Sequence, residues 1–165
     1  MLVKNLFTLF FIFLGFDAFA QMNEQLCKTN EKITFAFQLK NKKWVTVCEE
    51  KDRRYIVYRF GNSNKVELEY PSTLDSSSYQ QFTFKGYSRG GGKQNAAMNY
   101  AFLNFINKNM SYEIYDTWNS EDNKQHCGIS ITANAKPIDM VGNLKSRKGY
   151  LLSLWYDGKI KTEEQ

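Results

Sequence analysis

A single histidine and three cysteines stand in a chain of 165 residues, which excludes a His-rich or Cys-rich metal site. Nucleophilic catalysis is as poorly provided for, because a nucleophile needs a base within hydrogen-bond reach. The one histidine, His126, directly precedes Cys127, so in a strand the two side chains point to opposite faces. No G-x-S-x-G, P-loop or G-x-G-x-x-G pattern occurs in its required context. Gly90-Gly91-Gly92-Lys93 lacks the spacing and trailing hydroxyl residue of a phosphate loop. Carboxylates are scattered and form no calcium-loop pattern. No cofactor and no metal is implied, and the chain reads as a non-enzyme. There is also no long 3.6-residue periodicity, no internal repeat, and no apolar run near the roughly 20 residues that span a bilayer.

The N-terminus is the one strongly apolar stretch. Lys4 supplies a positive start, Leu6 to Phe16 form an apolar run, and Ala18-Phe19-Ala20 has the small-x-small form of a signal peptidase site. Residues 1–20 are therefore expected to be a secretory signal peptide cleaved before Gln21, leaving residues 21–165 as one exported domain, periplasmic or secreted. Export permits disulfides, and three cysteines leave one over. Cys27 and Cys48 flank the first hairpin and are the favoured bridge. Cys127, in a strand beside Ile129 and Ile131, reads as a buried thiol, although a Cys48–Cys127 bridge stays open.

Charge is modestly basic, with 22 Lys and Arg against 17 Asp and Glu, for a net charge of +5. The leader holds Lys4 and Asp17, so its removal leaves that balance unchanged. The densest cationic stretches, Lys40-Asn41-Lys42-Lys43 and Lys145-Ser146-Arg147-Lys148, read as solvated surface. The excess is spread along the chain, and a nucleic-acid partner is not expected.

What the sequence does have is aromatic residues, 16% of the chain, and two-residue alternation. Ile33, Phe35, Phe37 and Leu39 alternate with polar neighbours, turn at Asn41-Lys42-Lys43 and return through Trp44 to Cys48. Arg54 to Phe60 and Val66 to Tyr70 flank the turn residues Gly61-Asn62-Ser63-Asn64. If that loop sets the register, Val57 faces Leu68 and Arg59 faces Val66. Tyr55, Val57, Val66, Leu68 and Tyr70 then share the core face, with Arg59 at its rim, reaching water or pairing with a carboxylate. Residues 72–79 read as a polar loop, and Gln81 to Tyr87 as a strand. Residues 97–106 and 111–118 pair across Asn107-Lys108-Asn109, and His126 to Thr132 is a further strand. Met140 to Asn143 is ambiguous, Gly149 to Trp155 is a strand or short helix, and Lys161 to Gln165 is a frayed tail. Eight or nine short strands predict an all-β antiparallel sandwich or small barrel, mostly a meander.

One segment stands out from that framework. Tyr87-Ser88-Arg89-Gly90-Gly91-Gly92-Lys93-Gln94-Asn95 carries three consecutive glycines, which cost entropy on ordering and bring no packing. Such a run suits a chain that turns sharply, approaches another surface, or moves. Tyr87, Ser88, Arg89, Gly90, Gly91, Gly92, Lys93 and Asn95 form the candidate contact set for an anion or a carboxylate-lined cleft. Trp44, Tyr58, Tyr115 and Trp118 are further aromatic candidates, with core packing the simpler account. Two other readings compete with a binding loop. A barrel interior lined by Phe could carry a lipid or other apolar molecule, and Glu67 with Glu69, two apart on one strand face, could serve an envelope hydrolase.

Tyr58-Arg59-Phe60-Gly61, then Val66-Glu67-Leu68-Glu69-Tyr70-Pro71, then Tyr87-Ser88-Arg89-Gly90-Gly91-Gly92, in that order behind a signal peptide, resembles a group of small exported bacterial proteins of unassigned function. The likeness covers most of residues 27–154 and implies no activity and no catalytic residue. In architecture alone the chain is similar to periplasmic β-proteins that inhibit lysozymes by inserting a loop into the active cleft. The missing catalytic set, export and the glycine-rich cationic loop together predict a non-catalytic binding protein, of inhibitor or immunity type, acting on a protein or glycan of the cell envelope through residues 87–95. If the leader is processed as its residues indicate, N-terminal sequencing of the exported protein begins at Gln21; a chain that retains Met1 removes the leader from the argument.

Overall fold

Alternation of apolar and polar residues carries through most of the chain because one face of each strand must meet a core and the other must meet water. It produces ten strands in the computed structural model, whose described residues are 26–163. They are β1 (Glu31–Leu39), β2 (Trp44–Glu50), β3 (Ile56–Asn62), β4 (Lys65–Tyr70), β5 (Thr83–Arg89), β6 (Met98–Asn107), β7 (Met110–Asn119), β8 (Lys124–Ala133), β9 (Lys136–Gly149) and β10 (Lys161–Thr162). A 3-10 turn spans Ser76–Gln81 and a short helix, α1, spans Ser153–Asp157. The expected leader over residues 1–20 and its cleavage point lie outside the described residues.

All ten strands join one sheet in the order β10-β5-β6-β7-β8-β9-β1-β2-β3-β4. The sheet curls into a half-barrel, so the fold is all-β, and it is neither a two-sheet sandwich nor a closed barrel. Two meanders, β1 to β4 and β5 to β9, meet where β1 pairs antiparallel with β9. Met140 to Asn143 lie inside β9, the longest strand, and the stretch after Gly149 contains α1. Within the expected frayed tail, Lys161 and Thr162 pair in parallel with Thr83 and Phe84. The turn between β6 and β7 holds Lys108 and Asn109 at positive φ, the twist a two-residue hairpin requires.

The concave side is filled. Phe35, Phe37, Tyr58, Phe84, Leu103 and Ile114 belong to one buried cluster, which Leu151, Leu152, Leu154 and Ile160 complete from the segment around α1. Tyr70 stacks on Phe105 at 4.5 Å and meets Phe82 edge-on, closing the gap between the edge strand β4 and the β5–β6 side. The 3-10 turn is held there by the Tyr79 hydroxyl, which donates to Glu49 at 2.7 Å, and by the Ile56 amide, which donates to Ser78.

The β3–β4 register differs from the expected one. Gly61 sits at φ +147° with room for no Cβ, since one would lie 2.2 Å from the Lys65 carbonyl, and it faces Val66 across an irregularity. That irregularity sets Arg59 opposite Glu69 and Phe60 opposite Leu68. Tyr58, Phe60, Leu68 and Tyr70 therefore face or flank the main core. Tyr55 and Val57 belong instead to a second, smaller core with Cys27 and Cys48. Arg59 is not at a rim but fully buried. Its guanidinium grips Glu31 with two nitrogens, donates through Nε to Glu69 at 2.6 Å and reaches the Leu26 carbonyl at 3.1 Å. Beside it Cys27 and Cys48 form the expected disulfide, and Cys127 is the free, buried thiol. Closing a loop of that size removes about 3 kcal/mol of unfolded-chain entropy.

Burial alone would raise the Glu31 carboxyl, but hydrogen bonds and charge from Arg59, the Lys28 amide and Tyr55 hold it below the usual carboxylate value of 4.5. A carboxyl lowered by folding adds stability above its unfolded-state value, and that stability is lost as pH falls through the lower folded-state value. Arg59→Ala, which strands Glu31 in the dry interior, is expected to cost about 3–5 kcal/mol in urea unfolding at neutral pH. The penalty should shrink as pH is lowered through the carboxylate range and Glu31 takes up a proton. A penalty independent of pH would mean that the lost contacts are steric rather than ionic.

Candidate functional site

The expected contact segment lies where β5 hands over to β6, and its residues divide into a fixed base and an open tip. Tyr87 points to the convex side of the sheet and stacks on Tyr100, with ring centroids 6.4 Å apart. Ser88 points to the concave side and its hydroxyl donates to the Asn99 side-chain oxygen at 2.8 Å. Arg89, at the end of β5, donates from Nε to the Ala96 carbonyl at 3.1 Å and so ties the two legs of the loop together. The return leg is pinned to the β7–β8 connection, where Ala97 and Ser120 exchange two hydrogen bonds.

The tip has few such ties. The Gly92 amide donates to the Asn95 carbonyl at 3.0 Å, and Lys93, Gln94 and Asn95 are exposed. The three glycines are not required by a left-handed backbone, since none of them has φ in that region. A Cβ at Gly91 would touch Ala97 at 3.2 Å, whereas a Cβ at Gly90 or Gly92 would meet nothing within 4 Å. Of the three reasons for a glycine run, a forced turn is thus not the one operating at Gly90 and Gly92.

Below the loop base the concave face opens as a cleft of about 260 Å³, walled by Asn99, Trp118, Tyr150 and Leu152. Its floor is an ion pair that sequence reasoning missed. Arg147 Nε donates to Asp116 at 2.8 Å while a second nitrogen reaches the other carboxylate oxygen, and the guanidinium lies over Phe35 at 5.4 Å. Arg147 belongs to a stretch read as solvated surface, yet it is largely covered. Asp116 carried a usable signal, because it shares a strand face with Tyr112 and Ile114, and a carboxylate in core register calls for a buried cation. Trp118, one of the aromatic candidates, lines this cleft, while Tyr58 is a core residue. Tyr115 covers Gly128, where a Cβ would lie 2.2 Å from its hydroxyl oxygen, and that hydroxyl donates to Asp139.

The residues weighed for catalysis are placed apart or engaged. Cys127 is fully buried, burial pushes its thiol up to about 11, and His126 is exposed on the opposite face of β8. Glu67 and Glu69 both border a cleft beside β4, but Glu67 pairs with Lys43 at 2.8 Å and Glu69 with Arg59 at 2.6 Å. Cys27, Glu31 and Cys48 lie close enough to hold a cation, but both sulfurs are joined in the disulfide and Glu31 is held by Arg59. Among the described residues no helix is long and apolar enough to cross a membrane. Comparison of the chain with family models, curated proteins and solved structures returns no match.

Proposed function

We propose that the chain is a non-catalytic binding protein of an oxidising, extracytoplasmic compartment, of inhibitor or immunity type, and that it engages an envelope protein or glycan with residues 87–95. One observation carries this reading: Gly90 and Gly92 face open space without a left-handed backbone, on a loop whose base is fixed by Arg89 and Ser88. A glycine with no internal reason for being one is accounted for by a surface that comes close from outside, since only hydrogen lets a backbone approach that tightly. The exposed Lys93 and Asn95, with the amides between them, offer a cation and hydrogen-bond donors to a carboxylate-lined cleft.

The disulfide agrees with an oxidising compartment. The filled concave face argues against an internal apolar cargo, and the cations on Glu67 and Glu69 argue against a pair of working carboxylates.

Gly90→Ala/Gly92→Ala separates the internal from the external explanation. Its urea midpoint should equal or slightly exceed that of the parent protein, since alanine removes unfolded-chain entropy at no steric cost, while capture of the envelope partner from extract should fall by about tenfold or more. Arg89→Ala/Lys93→Ala should weaken capture of the same partner. Undiminished capture by both variants would take the loop out of the binding surface.

A further inference from the structure

In a sheet whose neighbouring strands from β5 to β4 all run antiparallel, the β1–β2, β3–β4, β6–β7 and β8–β9 turns all leave by one end, opposite to the β5–β6 loop. The curl of the sheet gathers them into one rim. Lys40 and Lys42 share a cleft with Val141 of β9, Lys43 pairs with Glu67 of β4, and Glu67 shares a second cleft with Lys108 of the β6–β7 turn. Charge that is spread along the sequence is thereby collected in space. Lys40, Lys42, Lys65, Lys108 and Lys136 are all exposed at these turns, and none makes an ion pair among the described residues. The rim's acids are engaged, Glu67 by Lys43 and Asp139 by the Tyr115 hydroxyl. The opposite rim is mixed and partly paired, with Arg53 and Arg54 against Glu49, Glu50 and Asp157 and Lys124 against Asp122, and with Lys51 and Lys93 exposed there without an ion pair among the described residues.

Large apolar side chains stand among these lysines. Ile106, Ile138 and Val141, on the strands entering or leaving the lysine-bearing turns, are 69%, 63% and 63% exposed. Lysines alone suit any polyanion, whereas lysines interleaved with exposed aliphatic residues suit an interface that is anionic at its surface and apolar just beneath it. We propose that this lysine-bearing turn rim docks the protein peripherally on an anionic bilayer surface, without crossing it. The docking is independent of the β5–β6 loop, which it leaves pointing away from the lipid.

The test uses the processed, exported protein and sedimentation with vesicles of phosphatidylcholine, with or without phosphatidylglycerol. Binding should require the anionic lipid and fall steeply as salt is raised to about 0.5 M, which shortens electrostatic reach to a few ångströms. Lys42→Gln/Lys108→Gln/Lys136→Gln should lower the partition coefficient about a hundredfold, at roughly fivefold per lysine. Lys51→Gln/Lys124→Gln/Lys148→Gln, which removes the same charge elsewhere, should change it little. Ile106→Ser/Ile138→Ser should weaken vesicle binding without altering retention on heparin. Equal binding to both vesicle types, equal loss in the two lysine variants, or no effect of the serines would each overturn the bilayer assignment, the last in favour of a soluble polyanion.

Discussion

The buried pairing of Arg59 with Glu31 is the constraint from which the rest of the architecture follows. A guanidinium with no solvent exposure needs acceptors on every side, and it finds them in Glu31, Glu69 and the Leu26 carbonyl, which belong to three separate segments. Its contact with Leu26 and Glu31 draws the start of the described chain over the convex face, where the disulfide and a small apolar core then form. Its contact with Glu69 aligns the edge strand. With Arg59 opposite Glu69, Tyr70 falls opposite Tyr58 on the concave side, in place to stack on Phe105 across the open side of the curl. Hydrogen bonds and charge outweigh the burial of this cluster, holding Glu31 below and Arg59 above its usual value, and the same contacts fix the register of the edge strand. An edge strand slipped by one residue would bury Glu69 in the aromatic core and turn Tyr70 outward.

Much of this was legible from two-residue alternation. The all-β class, the hairpin from Ile33 to Cys48, the paired strands around Asn107 to Asn109 and the Cys27–Cys48 bridge are all local patterns, set by residues near one another in sequence. The illegible parts are those set at long range. The β3–β4 register was misread because turn residues alone were taken to define it. The bulge at Gly61 and the ion pair to Glu69 define it instead, and the ion pair depends on Glu31, far away in the chain. Single curled sheet against sandwich turned on whether β1 pairs with β9, a contact between the beginning and end of the domain that no periodicity encodes.

The candidate surfaces divide along the same line. Composition singles out the segment from Tyr87 to Asn95, because three glycines in a row are visible in one dimension, and the fold places them at a chain reversal with a fixed base. The cleft floored by Asp116 and Arg147 was hidden, since its partners lie 31 residues apart and one sits in a run of cations that looked solvated. The lysine rim was hidden for a different reason. Charge counted along the chain is uniform, but hairpins send alternate turns to opposite ends, and the turns at one end carry lysines without ion pairs among the described residues while much of the charge at the other is paired with acids.

Two dissimilar ends then follow from one topology. An antiparallel meander divides its turns between two rims, so chemistry placed in alternate turns separates by the length of a strand with no further structural device. At the β5–β6 end the turn residues are glycine, flanked by one fixed and one free cation; at the other they are lysine and asparagine, backed by exposed isoleucine and valine. The rigid wall between them is a core of interlocked aromatics in which Phe105 contacts Tyr58, Tyr70, Phe82 and Tyr112. A wall packed in this way keeps the distance and orientation between the ends fixed. Under the two proposed roles, a half-barrel closed by stacked rings would act as the rigid spacer that holds the loop at a set height above a surface, with one sheet.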